Sequence, residues 1–158
     1  MTRNMLVGFD ASEESYQAFD YALSMAASYK FPPEITVLSV VQRPGGLNLV
    51  DTGSLIEETT RDFKVQLKTL EEKAKAVNLR ISTEVVMGCP ARAIVNTAKE
   101  KDCQFIIVGR KRRSKISRLL FGSVSRHVAS EANCTVIVCQ KGSESGSKSI
   151  IPALAPDY

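Results

Sequence analysis

The chain has 158 residues, of which 44% are hydrophobic and 24% charged, with 9 Gly and 6 Pro. This length and composition are typical of one globular domain and exclude disordered and fibrous proteins. The apolar runs are too short to span a bilayer, and the N-terminal residues lack the pattern of a secretion signal. We therefore expect a cytoplasmic protein that does not associate with membranes.

The formal charge of +4 arises from one segment of the chain. Seven Lys and Arg lie from Arg110 to Arg126 with no acidic residue among them, which leaves 14 basic against 17 acidic residues elsewhere. Such a concentrated cationic segment indicates a local site for a polyanion. Two alternatives remain open. One is a solvated loop, and the other is a nucleic-acid surface, which the scarcity of aromatic residues for base stacking disfavours.

The first half of the chain predicts a strand, a helix, a second strand and a long helix. Met5–Phe9 is a short apolar run, and Ser12 followed by two glutamates has the composition of a helix start. Ile35–Val41 is apolar almost throughout, as expected of a strand covered on both faces. From about Ser54, apolar residues recur every three or four positions as far as Val77, which predicts an amphipathic helix.

The second half repeats the same alternation. Ile81–Met87 predicts a third strand, and Pro90 suits the first turn of the helix that follows. Gln104–Val108 and Thr135–Cys139 predict the fourth and fifth strands, with a short helix between them. The order βαβαβαβαβ implies an α/β fold, a single doubly wound domain with a five-stranded parallel sheet and helices on both faces.

The predicted domain ends soon after the fifth strand. We assign residues 1–141 to it and expect residues 142–158, which begin with a run rich in Gly and Ser, to form a flexible tail. Because Thr135–Cys139 is apolar and last, we expect it at an edge of the sheet. An unpaired edge would favour pairing with a second copy, and hence a homodimer through this last strand.

No catalytic set and no metal site stands out. The four cysteines form no C-x-x-C pair and His127 is the only histidine, so zinc ligands are too few and too scattered. We interpret the cysteines as reduced thiols, buried or half-buried. His127 falls on the last predicted helix, where a surface or capping role is more common than general base catalysis. Cys89 precedes a helix start, but no partner base for a cysteine nucleophile is apparent.

A phosphate-binding pattern follows the fourth strand. The chain contains neither G-x-G-x-x-G nor G-x-x-x-x-G-K-[ST]. Instead the strand runs into Gly109, the cationic segment follows, and Gly122, Ser123, Val124 and Ser125 open the next helix. A glycine at a helix N-terminus lets backbone N–H groups approach an anion, and the helix dipole adds attraction. The alternative is a serine helix cap without a ligand.

This arrangement resembles the universal stress protein family, from Met5 to about Cys139. Members that bind ATP have the pattern G-x2-G-x9-G-[S/T] after the fourth strand. Gly109, the spacing and the final Gly122-Ser123 match it, whereas Arg112 stands where the second glycine is expected. The resemblance implies a fold like that of the adenine nucleotide alpha hydrolases.

The resemblance also implies a set of binding residues. Asp10, after the first strand, would accept hydrogen bonds from the ribose or the adenine, and Val40 would line the adenine pocket. Gly109 and Gly122 would let the backbone approach the phosphate, and the guanidinium of Arg112 would pair with its oxygens in place of a backbone donor. The implied phosphate donors are Ser123, Val124 and Ser125.

By the same resemblance, the protein would be a stress-response sensor or adaptor that binds ATP, with or without Mg²⁺, without rapid turnover. The alternative, motivated by Arg112, is a dimeric stress-response module that binds no nucleotide and acts through protein–protein contacts. The sequence does not identify the signalling partner in either case. Slow ATP hydrolysis is a third interpretation, for which no water-activating residue is visible.

Overall fold

Strands and helices alternate in the computed structural model, which describes residues 3–43, 52–110, 123–140 and 149–151. The strands are β1 (Asn4–Gly8), β2 (Glu34–Val41), β3 (Ile81–Met87), β4 (Cys103–Gly109), β5 (Thr135–Cys139) and β6 (Ser149–Ile151). The helices are α1 (Glu13–Ala27), α2 (Thr52–Ala76), α3 (Pro90–Glu100) and α4 (Ser123–Glu131).

The strands form one sheet in the order β3-β2-β1-β4-β5-β6. The first five are parallel to their neighbours, so the predicted doubly wound parallel sheet is confirmed. The sixth strand was not predicted. It runs antiparallel to β5 and pairs with it from Val138↔Ser149 to Val136↔Ile151.

The presence of β6 corrects one prediction about the sheet edge. β5 is not an edge strand, because β6 pairs with the side that β4 leaves open. The strand is formed by three residues of the predicted tail, 149–151. The remaining tail residues, 142–148 and 152–158, lie outside the described residues, so their predicted flexibility stays a prediction.

Each face of the sheet is covered by two helices. Along β1, Met5 and Val7 pack on the face of α1 and α2, whereas Leu6 packs on the face of α3 and α4. This alternation follows from the two-residue repeat of a strand, and it explains why parallel strands read as continuous apolar runs. The helices supply large buried side chains to these two clusters, among them Phe19, Leu67, Leu70, Ile94 and Val128.

Helix α2 ends earlier than its apolar pattern predicts. Leu67, Leu70 and Ala74 are buried as expected, but Val77 is 52% exposed. The helix ends at Ala76, and Asn78 takes a left-handed conformation with a φ of 58°. The chain therefore turns toward β3 before Val77 can reach the sheet.

Candidate functional site at the carboxyl ends of the strands

The candidate site lies at the point where the strand order reverses. β1 pairs with β2 on one side and with β4 on the other. In open α/β sheets, ligands bind beyond the carboxyl ends of the strands at such a point. Asp10 follows β1, Gly109 ends β4, and α4 begins at Ser123. The structure thus places these three predicted residues at the same end of the sheet.

Asp10 holds the turn that starts α1. Its Oδ1 accepts hydrogen bonds from the backbone N–H of Ser12, at 3.0 Å, and from the Ser12 hydroxyl. Ser12 is the N-cap, and its Oγ accepts from the backbone N–H of Ser15 at 3.2 Å. Ala11, which lies between Asp10 and Ser12, has a φ of 65°. The carboxylate is exposed, so it both fixes this turn and faces the solvent at the sheet end.

A buried hydroxyl joins the end of β1 to β2. Ser39 is fully buried, and its Oγ donates to the carbonyl oxygen of Phe9 at 2.8 Å. The N–H of Phe9 donates in turn to the carbonyl oxygen of Leu38 at 2.9 Å. These bonds fix the backbone immediately before Asp10. Ser39 was not predicted from the sequence; its signal is a polar residue within the mostly apolar run from Val37 to Val41.

Gly109 is required by the close approach of α1. A Cβ at this position would lie 2.5 Å from the carbonyl carbon of Glu14 and 2.7 Å from the backbone nitrogen of Ser15. Such distances are far shorter than van der Waals contact, so no side chain fits. The family pattern explains this glycine by the approach of a phosphate. The structure adds a packing requirement, which seats the first turn of α1 on the end of β4.

The remaining described candidates lie on the face of α3 and α4. Val40 and Val124 are half-buried and pack against the same apolar cluster. Ser123 is exposed at the start of α4, whereas Ser125 is buried. Arg112 and Gly122 lie outside the described residues, so the structure does not place them.

The start of the cationic segment follows the end of β5. The backbone N–H of Arg110 donates to the carbonyl oxygen of Cys139 at 2.7 Å. The Arg110 guanidinium donates from Nη1 to Oε1 of Gln140 at 3.1 Å. These contacts fix the backbone where it leaves β4, at the same sheet end as Asp10.

The described groups at this end are suited to binding a polar ligand. They comprise an exposed carboxylate, an exposed hydroxyl and the N-terminus of α4, which favours negative charge. Within the described ranges, no three or more His, Cys, Asp and Glu side chains are grouped so as to hold a metal ion. Among the helices that the structure describes, none combines the length and the apolar character that crossing a bilayer requires.

The fold matches solved structures of universal stress proteins. UspA from Lactobacillus plantarum has a TM-score of 0.76 at 23% identity, over 87% of this chain and 97% of that one. A universal stress protein in complex with cAMP has a TM-score of 0.69 at 25% identity, over 89% and 98%. A family member from Arabidopsis thaliana with AMP bound has a TM-score of 0.61 at 18% identity, over 92% and 96%. These similarities establish the fold.

Sequence relatives establish the family. The universal stress protein MJ0531 of Methanocaldococcus jannaschii is 30% identical over 142 residues, covering 88% of this chain and 82% of the relative. YxiE of Bacillus subtilis is 33% identical over 152 residues, covering 87% and 99%. A model of the universal stress protein family matches residues 1–140. The chain therefore belongs to the universal stress protein family, as the pattern at Gly109 and Gly122-Ser123 predicts.

Proposed function

We propose that this protein binds an adenine nucleotide, ATP with or without Mg²⁺, at the carboxyl ends of β1 and β4. The observation that carries the proposal is the placement of Asp10, Gly109 and Ser123 at one end of the sheet, with the cationic segment between the last two. Related structures that hold cAMP and AMP support the same class of ligand. The protein would act as a cytoplasmic stress-response sensor or adaptor whose surface changes with nucleotide occupancy.

The ribose and the base would be held on the β1–β2 side. Asp10 already accepts two hydrogen bonds from Ser12. The carboxylate is exposed at this end of the sheet, where it would accept from a ribose hydroxyl. Val40 and Val124, which pack against one cluster, would supply apolar contact to the adenine.

The phosphates would be held by α4 and the cationic segment. The Ser123 hydroxyl is exposed at the helix start, and the backbone N–H groups of Val124 and Ser125 follow it in the first turn. Gly122 would admit the phosphate to this turn. Arg112 would replace a backbone donor by a charge-assisted hydrogen bond.

Acid extraction followed by nucleotide chromatography, and calorimetric titration with Mg-ATP, test the proposal. We expect micromolar binding that Ser123→Ala weakens. Ser130→Ala is the matched control, because Ser130 lies in the last turn of α4 and its hydroxyl donates to the carbonyl oxygen of His127. An empty extract together with no heat on titration would exclude nucleotide binding.

The second candidate function is a dimeric module that binds no nucleotide and acts through protein contacts. Two observations favour it: Arg112 replaces a glycine of the pattern, and Asp10 has a structural task in the turn before α1. This alternative predicts that Arg112→Gly creates ATP binding that the parent protein lacks. Equal binding by both proteins would remove its main support.

We also propose that the protein forms a homodimer on the β5 side of the sheet. Val136, Ile137 and Val138 are buried, and a strand this apolar is hazardous as an open edge. Since β6 covers β5, a second copy would pair with β6 or take its place. Light scattering of the full chain and of a chain ending at Gln140 distinguishes the two: loss of the dimer on truncation indicates β6, and retention indicates β5. Monomers in both would refute dimerisation.

A further inference from the structure

Two thiols lie in one cavity at the amino end of the sheet, opposite the proposed nucleotide site. Cys103 begins β4 and is buried, and Cys134 immediately precedes β5 and is half-buried. Both belong to the apolar cluster between the sheet and helices α3 and α4. They line a cavity of about 220 Å³ whose wall is apolar at Val95, Ala98, Ile106 and Ala132 and polar at Lys99, Asp102, Gln104 and Asn133.

A bulge in β4 brings Cys103 to this cavity. Against β1, Asn4 pairs with Cys103 but the next residue, Met5, pairs with Phe105, so Gln104 is the extra residue. Strict alternation would put Cys103 on the same face as Phe105, which packs against α1 and α2. The bulge instead turns Cys103 to the face of α3 and α4.

Hydrogen bonds hold this bulge. The backbone N–H of Asn4 donates to Oε1 of Gln104 at 2.6 Å, and its side-chain Nδ2 donates to the carbonyl oxygen of Lys101 at 2.7 Å. Asp102, next to Cys103, takes a left-handed φ of 48°. The position of Cys103 is therefore fixed by the fold rather than by a mobile loop.

The register of β4 and β5 places the two cysteines side by side. Phe105 pairs with Thr135, so Cys134 lies beside Gln104 and one step diagonally from Cys103. Ideal strands about 4.8 Å apart, with a rise of about 3.3 Å per residue, would separate the two Cα atoms by roughly 6 Å, and both side chains line the same cavity. A single atom can bridge two sulfurs at this spacing after small side-chain rotations.

The surroundings favour neutral thiols. Burial, with a smaller contribution from Cys134, raises the pKa of Cys103 to about 11. Burial also raises the pKa of Cys134. Helices α3 and α4 both end at this side of the sheet, and the negative ends of their dipoles disfavour anions there. A ligand of this site must therefore bind two protonated thiols and leave no net negative charge.

We propose that Cys103 and Cys134 form a dithiol site for a trivalent, monosubstituted arsenical, a thiophilic compound that two sulfurs bridge as a neutral adduct. The arsenic(III) centre carries one organic group and two hydroxyls. Each thiol proton leaves with one hydroxyl as water, two As–S bonds form, and no atom is oxidised or reduced. The reactants and the product are uncharged, and the apolar part of the cavity wall, formed by Val95, Ala98, Ile106 and Ala132, receives the organic group. This site is independent of the proposed nucleotide function.

Phenylarsine oxide, which hydrates to such an arsenical, is the probe. The reduced full-length protein is expected to take up one equivalent, detected by native mass spectrometry. Peptide mapping after alkylation should show that Cys103 and Cys134 become protected together. A small dithiol should remove the adduct, whereas a monothiol at the same concentration should not, because only a second chelating pair of sulfurs competes well.

Matched cysteine variants decide whether the pair acts together. Cys134→Ser is compared with Cys89→Ser, since neither residue is fully buried, and Cys103→Ala with Cys139→Ala, since both are buried. The first variant of each pair should lose the monothiol-resistant adduct, and the second should keep it. Cys134→Ser, at a half-buried position, keeps the test valid if Cys103→Ala fails to fold. A resistant adduct that survives Cys134→Ser, or that forms on Cys89 or Cys139, would overturn the proposal.

Discussion

The two ends of the sheet offer opposite chemistry on the same scaffold. At the carboxyl ends of the strands, helices begin, an exposed carboxylate fixes a polar turn, and the cationic segment follows β4. At the amino ends, helices α3 and α4 finish, and the thiols of Cys103 and Cys134 line a cavity with a partly apolar wall. Parallel βα units impose this difference, because every helix points its positive end the same way. The carboxyl end is therefore suited to anions and the amino end to neutral ligands.

The largest expected effect is at Gly109, on the carboxyl end. In Gly109→Ala the new methyl group overlaps the backbone of Glu14 and Ser15. We expect a loss of about 2 to 3 kcal/mol in the free energy of unfolding, the upper range for forced overpacking, measured by urea denaturation. Nucleotide binding should fall as α1 shifts, whereas the arsenical should still bind at the amino end.

Gly53→Ala is the matched control for this substitution. Gly53 lies in α2, and a Cβ there meets nothing within 4 Å. Alanine is a better helix former than glycine, so we expect no loss and a gain of up to about 1 kcal/mol. If Gly109→Ala is as stable as Gly53→Ala, the close contact between β4 and α1 is not rigid.

Substitutions of Asp10 and of Ser12 distinguish the structural role of this turn from its proposed role in binding. Asp10→Ala removes the two hydrogen bonds that Asp10 accepts from Ser12, and Ser12→Ala removes the hydroxyl donor to Asp10 and the cap on the Ser15 N–H. Each substitution should cost about 1 kcal/mol of unfolding free energy. Only Asp10→Ala removes the proposed acceptor for the ribose. Calorimetry should therefore show weaker nucleotide binding for Asp10→Ala and near-parental binding for Ser12→Ala. Equal losses would mean that Asp10 acts through the turn alone.

Salt should distinguish the two ends of the sheet, because it should lower the nucleotide affinity several-fold and leave the arsenical adduct unchanged. Raising the ionic strength shortens the Debye length from about 10 Å at 0.1 M to about 3 Å at 1 M. If the cationic segment holds the phosphates as proposed, nucleotide affinity should fall across this range in fluorescence titrations. Formation of the arsenical adduct should not change, because its reactants and product are neutral. A salt-independent nucleotide affinity would argue against a role for the cationic segment.

The last expected effect is alkaline destabilisation through Cys103. Its thiol pKa rises from an ordinary 9.0 to about 11 in the folded protein, mainly through burial, with Lys101 opposing and Asp102 adding to the shift. Between these values the unfolded chain loses the proton and the folded chain keeps it, so the unfolding free energy falls as pH rises. Between pH 8 and pH 10, the urea midpoint should fall less in Cys103→Ala than in the parent protein. An equal fall in the two proteins would show that folding does not raise the pKa of the Cys103 thiol.

Most of the fold was predictable, because the apolar runs and helix-start residues carry local signals. β3 and β5 have the predicted bounds, and α1 begins after Ser12 as expected. Two features depend on non-local pairing and escaped prediction. Ile150 and Ile151 become a strand only because β5 offers an edge, and the bulge at Gln104 exists only in the register with β1.

The candidate site was predictable in position but not in detail. The strand ends that carry Asp10 and Gly109 follow from the alternation of elements and from the family pattern. The contact between Gly109 and α1, and the buried bond from Ser39 to Phe9, depend on distances that no sequence pattern encodes. The cavity that Cys103 and Cys134 share was missed for the same reason, since 30 residues separate the two cysteines in the chain.

The antiparallel direction of β6 has a practical consequence for handling the protein. β1 starts at the amino end of the sheet, and β6 finishes there too, with Ile151 beside Val136. The start of β1 and the end of β6 therefore lie on the same side of the described sheet. Attaching the chain to a sensor surface, or to a fusion partner, through either strand directs the Asp10 side toward the solution. Nucleotide titrations on immobilised protein are thus practicable with either attachment.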